Sequence, residues 1–242
     1  MKTMRVGMLL VLGFLASACN PAVEAGPGLY VVISPAAQPV SAAVAACMPN
    51  IENLSPIVEI RYPEFVDLAE VDFLLQLGEL SEMPQFAAQI GWEKVVVILH
   101  ADNELDLSRA QLADLFSGRA EDWAEMGGEA GAVNLWVGPE SDEARQAFEA
   151  GLLGGSPVAG SANLATNPED VLAGVAGDPA AAGLLAAAWA DSSVRVIESG
   201  VELPVLALAA GEPSGAAYEL LACLQGEVGQ AALAELYAPL EP

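Results

Sequence analysis

The stretch Leu107-Ser108-Arg109-Ala110-Gln111-Leu112-Ala113-Asp114-Leu115-Phe116-Ser117-Gly118, followed by Trp123 and the pair Gly127-Gly128, decides how the rest of the chain is read. Leu107–Phe116 reads as a helix. Phe116 and Trp123 act as apolar anchors beyond it, while Gly118, Gly127 and Gly128 permit turns that a side chain would obstruct. The residue types favour scaffold over ligand contact, so the segment speaks to fold rather than chemistry.

Working outward, an alternation of strands and helices appears. Upstream lies Val95–His100 (VVVILH), an apolar β-branched run suited to a strand buried on both faces. Leu29–Ser34 (LYVVIS), Val58–Tyr62 and Val71–Leu77 read as earlier strands. A helix with Pro39 in its first turn carries the face Val40, Ala43, Val44, Cys47. Downstream, Val133–Val137 reads as a strand, Asp142–Leu153 as a helix, and Asn167–Gly177 as a helix capped by Asn167. The Ala-rich stretch Ala180–Ala190 follows. Val194–Glu198 and Val205–Ala209 read as two strands, and a helix from Ser214, broken near Gly226, closes the chain. Such alternation implies βαβ units and mainly parallel sheets flanked by helices. Two sheet-like groups emerge, with the last segment free to return to the first.

Composition narrows the function. The 242 residues hold 33 acidic and 8 basic side chains, a net charge of −25, and are 54% hydrophobic. That is too apolar for disorder. A nucleic-acid partner is disfavoured because a polyanion needs clustered Lys and Arg. His100 is the only histidine, which disfavours His-dependent catalysis, and no His/Cys/carboxylate spacing suggests a metal. Asp102, Glu104 and Asp106 alternate like a calcium loop but lack its Gly and terminal Glu, leaving a solvated acidic linker. No enzyme motif and no cofactor is indicated.

The amino terminus addresses the chain. Lys2 and Arg5 precede the apolar run Val6–Leu15, shorter than the roughly 20 residues that span a bilayer. Ala16-Ser17-Ala18-Cys19 resembles a bacterial lipoprotein signal, which implies a signal peptide over residues 1–18 and lipid attachment at Cys19; ordinary cleavage after Ala18 is the alternative. The mature chain then has 6 basic and 33 acidic side chains, a net of −27. Lipid rather than charge would hold it to a membrane. Residues 19–28, rich in Pro, Ala and Gly, read as a tether. Cys47 and Cys223 remain, either as a disulfide in an oxidising compartment or as two buried thiols.

The stretch 107–128 resembles the "L-t-x-x-Q-L-x-x-I-F-S-G-x-x-x-x-W-x-x-x-G-G" segment of phosphate-type periplasmic solute-binding proteins. Leu135-Trp136-Val137, Ala144-Arg145-Gln146-Ala147-Phe148 and Asp178-Pro179-Ala180-Ala181-Ala182-Gly183 resemble later family segments in the same order. Val71-Asp72-Phe73 resembles an earlier one. The resemblance implies a two-lobed α/β fold of type II periplasmic-binding-protein kind, with lobe 1 from 29–100 plus 200–242 and lobe 2 from 101–199. It also implies a hinge near residues 100–104 and 198–204, and a monomeric, extracytoplasmic protein. Such a protein closes over a small-molecule or oxyanion solute and presents it to an ABC permease. The alternative is a degenerate binding-protein fold serving as a surface interaction or sensing module.

The family's anion-binding turns are where the sequence departs. After the first strand stands Ser34-Pro35-Ala36-Ala37, after the second Tyr62-Pro63-Glu64-Phe65, and at the second-lobe helix Ser141-Asp142-Glu143-Ala144. Ser34, Asp72, Ser141 and Arg145 are the candidate ligand-binding residues, with Asp72 matched by resemblance to a carboxylate that accepts a proton from the anion. Each has a bland reading as well: Asp72 as a strand-end cap, Arg145 as a surface partner of Glu149, Ser141 beside a capping Asp142. Arg61 is a weaker candidate. Trp136 and Trp189 read first as core, and His100 as a packing or hinge residue. Asp142 and Glu143 would repel phosphate, so the solute need not be phosphate.

Overall fold

The computed structural model describes residues 28–51, 55–79, 82, 84–238 and 240. The signal peptide, Cys19 and all but the last residue of the tether lie outside them. Among the described residues eight strands form one sheet in the order β2-β1-β3-β8-β4-β7-β5-β6. They are β1 (Gly28–Ile33), β2 (Ser55–Ile60), β3 (Phe73–Leu77), β4 (Phe86–His100), β5 (Asn134–Val137), β6 (Asn163–Leu164), β7 (Ala181–Ala186) and β8 (Val194–Ala209). Helices are α1 (Ser41–Cys47), α2 (Arg109–Phe116), α3 (Glu143–Leu152), α4 (Pro168–Ala176), α5 (Ala216–Gln225) and α6 (Glu227–Leu233).

The outer strands pair in parallel, β1 with β2 and β3, and β5 with β6 and β7. The middle is antiparallel: β3 with β8, β8 with β4, and β4 with β7. The two sheet-like groups expected from the sequence are therefore one sheet, because β4 and β8 run the length of both halves. β3 takes residues 205–208 of β8, whereas β7 takes residues 95–99 of β4. Where the halves meet, Val95 pairs with Val201 but Val96 with Glu198, leaving Ser199-Gly200 as a bulge. Gly200 sits at φ +71, and the Arg109 guanidinium lies against it, donating to the Ser199, Gly200 and Gly151 carbonyls. A residue of the deciding stretch thus fastens the crossing.

Burial on both faces explains the apolar strands. Val95, Val97 and Leu99 face the main core with Leu112, Phe116 and Phe148, while Val96 and Ile98 face Val171, Val175 and Leu185 under α4. Phe116 and Trp123 are buried, Phe116 packs edge-on against Phe148 at 5.0 Å between ring centres, and the Trp123 indole donates to the Ala180 carbonyl. α2 begins at a capping box in which Ser108 and Gln111 satisfy each other's backbone amides. Asn167 caps α4 as expected, with Pro168 in its first turn. Gly226 separates α5 from α6. Cys47 of α1 and Cys223 of α5 form a disulfide, 5.8 Å between Cα atoms, joining segments 176 residues apart.

Candidate functional site

Ligands of open α/β sheets bind beyond the carboxyl ends of parallel strands, where loops leave a crevice. Here a cavity of about 560 Å³ lies there. Pro63 and Glu64 follow β2, Gln76 to Glu79 close β3 and leave it, and Leu203 comes from the crossing strand β8. From the other half, Ser141, Glu143, Gln146 and Ala147 contribute the start of α3.

The start of α3 is the unusual part. Asp142 is the N-cap, its carboxylate accepting from the Arg145 amide at 2.9 Å. Asp142 and Glu143 are each only 7% exposed. Burial pushes the Glu143 carboxyl up to about 8, and the Asp142 charge adds to the rise; the nearby Ser34 hydroxyl and the amides of Glu143 and Leu77 oppose it. Neither Glu143 oxygen has a hydrogen-bond partner of good geometry. Burial likewise lifts Asp142 to about 6 against the pull of the Arg145 and Ala144 amides and the Arg145 charge. A buried carboxyl from one half therefore sits where the Ser34 hydroxyl and Leu77 amide of the other half converge, and at pH 7 it is mostly neutral.

The candidate residues divide. Ser141 lines the cavity. Ser34 is fully buried behind it, its hydroxyl accepting the Ala37 amide at 3.3 Å and lying near Glu143. Arg145 is buried but turned away: its Nη1 donates to the Gly138 carbonyl at 3.0 Å and its Nε pairs with Glu149 at 2.9 Å. Asp72 is not brought to the cavity. It precedes β3, and its carboxylate accepts the Tyr30 amide at 2.8 Å, at the end of the parallel strands opposite Ser34 and Gly78. Arg61 pairs with Glu59 and the Tyr30 hydroxyl.

Sequence reasoning missed Gln76 and Glu79 as site residues. The signal was available: a polar residue near the carboxyl end of an otherwise apolar strand, followed by Gly and a carboxylate. Gln76 is 2% exposed; its amide nitrogen donates to the Gly78 carbonyl and its Oε1 has no partner.

Two bonds tie the halves beside the cavity. The Tyr62 hydroxyl donates to the Thr166 carbonyl at 2.8 Å, and the Trp189 indole to the Ala36 carbonyl at 3.0 Å. Burial, with Asp142, Glu143 and Glu64 nearby, pushes Tyr62 up to about 12. Trp136 packs beside α4, away from the cavity. His100 ends β4, its Nδ1 accepting the Asp102 amide at 3.2 Å. Arg195 gathers the acidic linker, bonding Asp106 and the Asn103 and Leu105 carbonyls. Among the described residues no group of three or more His, Cys, Asp or Glu is placed to hold a metal ion, and no helix is long and apolar enough to cross a membrane.

A two-half α/β sheet with a crevice at the carboxyl ends of its strands is the architecture of solute-binding proteins, and the family model for the PBP superfamily domain matches residues 69–241. The chain belongs to that family. The PBP domain is a binding-protein fold and not an enzyme family. No curated protein matches the sequence. Among solved structures, the chain is similar to a putative phosphate ABC transporter substrate-binding protein with bound phosphate from Clostridium perfringens. The identity is 15% and the TM-score 0.80, over 89% of this chain and all of that one. It is also similar to an ABC-type phosphate transport receptor from Vibrio cholerae, at 17% identity and TM-score 0.68, over 87% of this chain and all of that one. The reduced OxyR regulatory domain from Pseudomonas aeruginosa follows at 16% identity and TM-score 0.58, over 85% and 98%. At these identities the likeness speaks to fold; the PBP domain's ligand must be argued from its own cleft.

Proposed function

We propose that the protein is an extracytoplasmic solute-binding lipoprotein, anchored through Cys19, that delivers a small solute to an ABC permease. The carrying observation is the cavity of about 560 Å³ between the end of β3 and the start of α3, within the roughly 300–1,000 Å³ usual for small-molecule sites. One wall comes from each half of the sheet, so solute bound there favours closure of 29–100 plus 200–242 onto 101–199. The chain passes between the halves through β4 and β8, and closure bends those strands at the Ser199-Gly200 bulge.

The site is poorly furnished for phosphate. Arg145, the cation of α3 itself, is engaged by Gly138 and Glu149, and the cavity wall carries Glu64, Glu79 and Glu143. A phosphate about 4 Å from the charge of Glu64 or Glu79 would face a repulsion on the order of 4 kcal/mol at an effective dielectric near 20. Glu143 seated near Ser34 also favours a second reading, in which the cleft is permanently filled and the fold serves sensing or interaction.

Thermal denaturation of the mature chain against anionic, neutral and cationic small solutes separates the two. Solute at about 100 times its dissociation constant stabilises by roughly 2.7 kcal/mol and raises the melting temperature. A melting temperature that no small solute moves would leave only the sensing reading.

A further inference from the structure

Three oxygens set the character of the cleft: Oε1 and Oε2 of Glu143 and Oε1 of Gln76. All three are buried with no hydrogen bond of good geometry, although the Ser34 hydroxyl and the Glu143 and Leu77 amides face the Glu143 carboxyl, and all belong to residues lining the same cavity. Each can accept a hydrogen bond, and what the wall lacks is a matching donor with charge. Among the described residues no Lys, Arg or His lines the cavity, while Glu64 and Glu79 add two more carboxylates at its exposed rim. Leaving buried acceptors unpaired is costly, more so for charged groups, so a ligand that pairs them recovers that cost.

We propose that this cleft takes a cationic solute, a primary ammonium or guanidinium compound, seated on Glu143 and Gln76 with Glu64 and Glu79 at its rim. The inference rests on the reading of the cleft as the solute site and gives that solute its chemical class. The three oxygens are sealed from water in this conformation, so the cation reaches them by entering between α3 and the end of β3. A guanidinium or ammonium offers several N–H donors and a charge that the Glu143 carboxylate can match, forming a charge-assisted pair in a dry site. Phosphate can donate a P–OH to one carboxyl but brings like charge to Glu64 and Glu79, and a neutral polyol brings no charge to balance them.

Proton linkage follows from the same geometry. Glu143 is mostly protonated at pH 7 in the free protein, with Asp142 beside it, Arg145 on the same helix, and the Tyr62 and Tyr237 hydroxyls near it from the other elements. A bound cation favours the carboxylate, so binding at pH 7 releases a proton and tightens as pH rises toward 8.

The test is calorimetric titration of the full mature chain with agmatine, putrescine and arginine, alongside phosphate and ribitol, in buffers of different ionisation enthalpy at pH 7. The expected result is binding of at least one cation with proton release, and neither binding of phosphate nor of ribitol. Glu143→Gln keeps the shape of the neutral acid, should weaken the cation by about 30-fold or more, and abolishes the proton release. Glu64→Gln, on the exposed rim, should weaken it only a few-fold and carries no folding risk. Binding of phosphate or ribitol in place of the cations overturns the cation assignment while leaving a solute-binding protein. Binding of none of the five overturns the assignment as well, and the broader solute panel then decides whether any solute-binding reading survives. Cation binding unchanged in Glu143→Gln removes Glu143 from the seat.

Discussion

Replacing Glu143 by Gln should change how stability depends on pH more than it changes stability itself. The carboxyl titrates near 4.5 in an unfolded chain and at about 8 in the folded one. Its folded value is raised, so its contribution is fully present below pH 4.5 and is lost as pH climbs through 8. Between pH 5 and pH 7 the folded state holds nearly one proton more than the unfolded state. Stability then falls by roughly 1 kcal/mol or a little more per pH unit, which is about 2–3 kcal/mol across that interval after allowing for partial protonation at its edges. Over the whole window the loss is of the order of 4–5 kcal/mol, and at 7% exposure solvent screens little of it. Asp142 and Glu93, raised to about 6 and about 7 chiefly by burial, slope the same way and persist in the variant, as does relief of the net charge of −25 in acid. The informative quantity is therefore the difference between wild type and Glu143→Gln. Urea unfolding followed by tryptophan fluorescence at pH 5, 6, 7 and 8 should show the variant gaining about 2–3 kcal/mol on the wild type from pH 5 to pH 7. Parallel pH profiles for the two proteins would refute the buried, neutral carboxyl at the start of α3.

Three other perturbations bear on separate parts of the reading. Replacing Cys47 and Cys223 together by Ala should cost up to about 5 kcal/mol, given the 176-residue separation, and unchanged melting would argue against the bond. Gly183→Ala puts a methyl 2.7 Å from Val175 and 2.9 Å from Val171, so a loss of about 1–3 kcal/mol in chemical denaturation is expected; a neutral result would mean α4 is looser on β7 than described. Cys19→Ser should move the protein from the membrane to the soluble fraction, whereas continued membrane association would eliminate lipid attachment at that residue.

The helices were legible because their signals are local. Ser108 with Gln111 and Asn167 before Pro168 announce their own starts, and a 3.6-residue apolar face needs no distant partner. Strands were most legible where both faces are buried in apolar surroundings, as in Val95–Leu99, and the exposed edge strand β2 was placed only in part, from Val58. β7 was missed because AAGLLA lacks β-branched bulk, yet its small residues are what α4 requires: Val171, Val175 and Ile98 crowd Gly183. β4 begins nine residues before its apolar core, through Gln89, Gly91, Glu93 and Lys94, whose hydrogen bonds to β8 no pattern reveals. β8 was split in two because Gly200 and Pro204 resemble stops, whereas one is a bulge and the other lies within a ladder that continues past it. Ser141 and Ser34 were proposed from turns where the resembled family holds its anion; Ser141 lines the cavity and Ser34 is buried behind it. Asp72 was placed by resemblance at a strand whose direction decides everything: its amino end points away from the crevice, and Gln76 and Glu79 hold the opposite end. Glu143 was recognised as hostile to phosphate, but its burial depends on a wall contributed from residues 34 and 77.

The bond between Cys47 and Cys223 also orders events in time. Ribosomes release the chain from its amino terminus, so Cys47 emerges 176 residues ahead of its partner. Until then α1 lacks α5 and α6, and β3 lacks the stretch of β8 beside it. The intervening segment meets no such delay, since α2, β5, α3, α4 and β7 follow one another directly. The first-made half of the molecule is thus the last to be completed, and a truncation that spares everything up to residue 210 still leaves it without its staple.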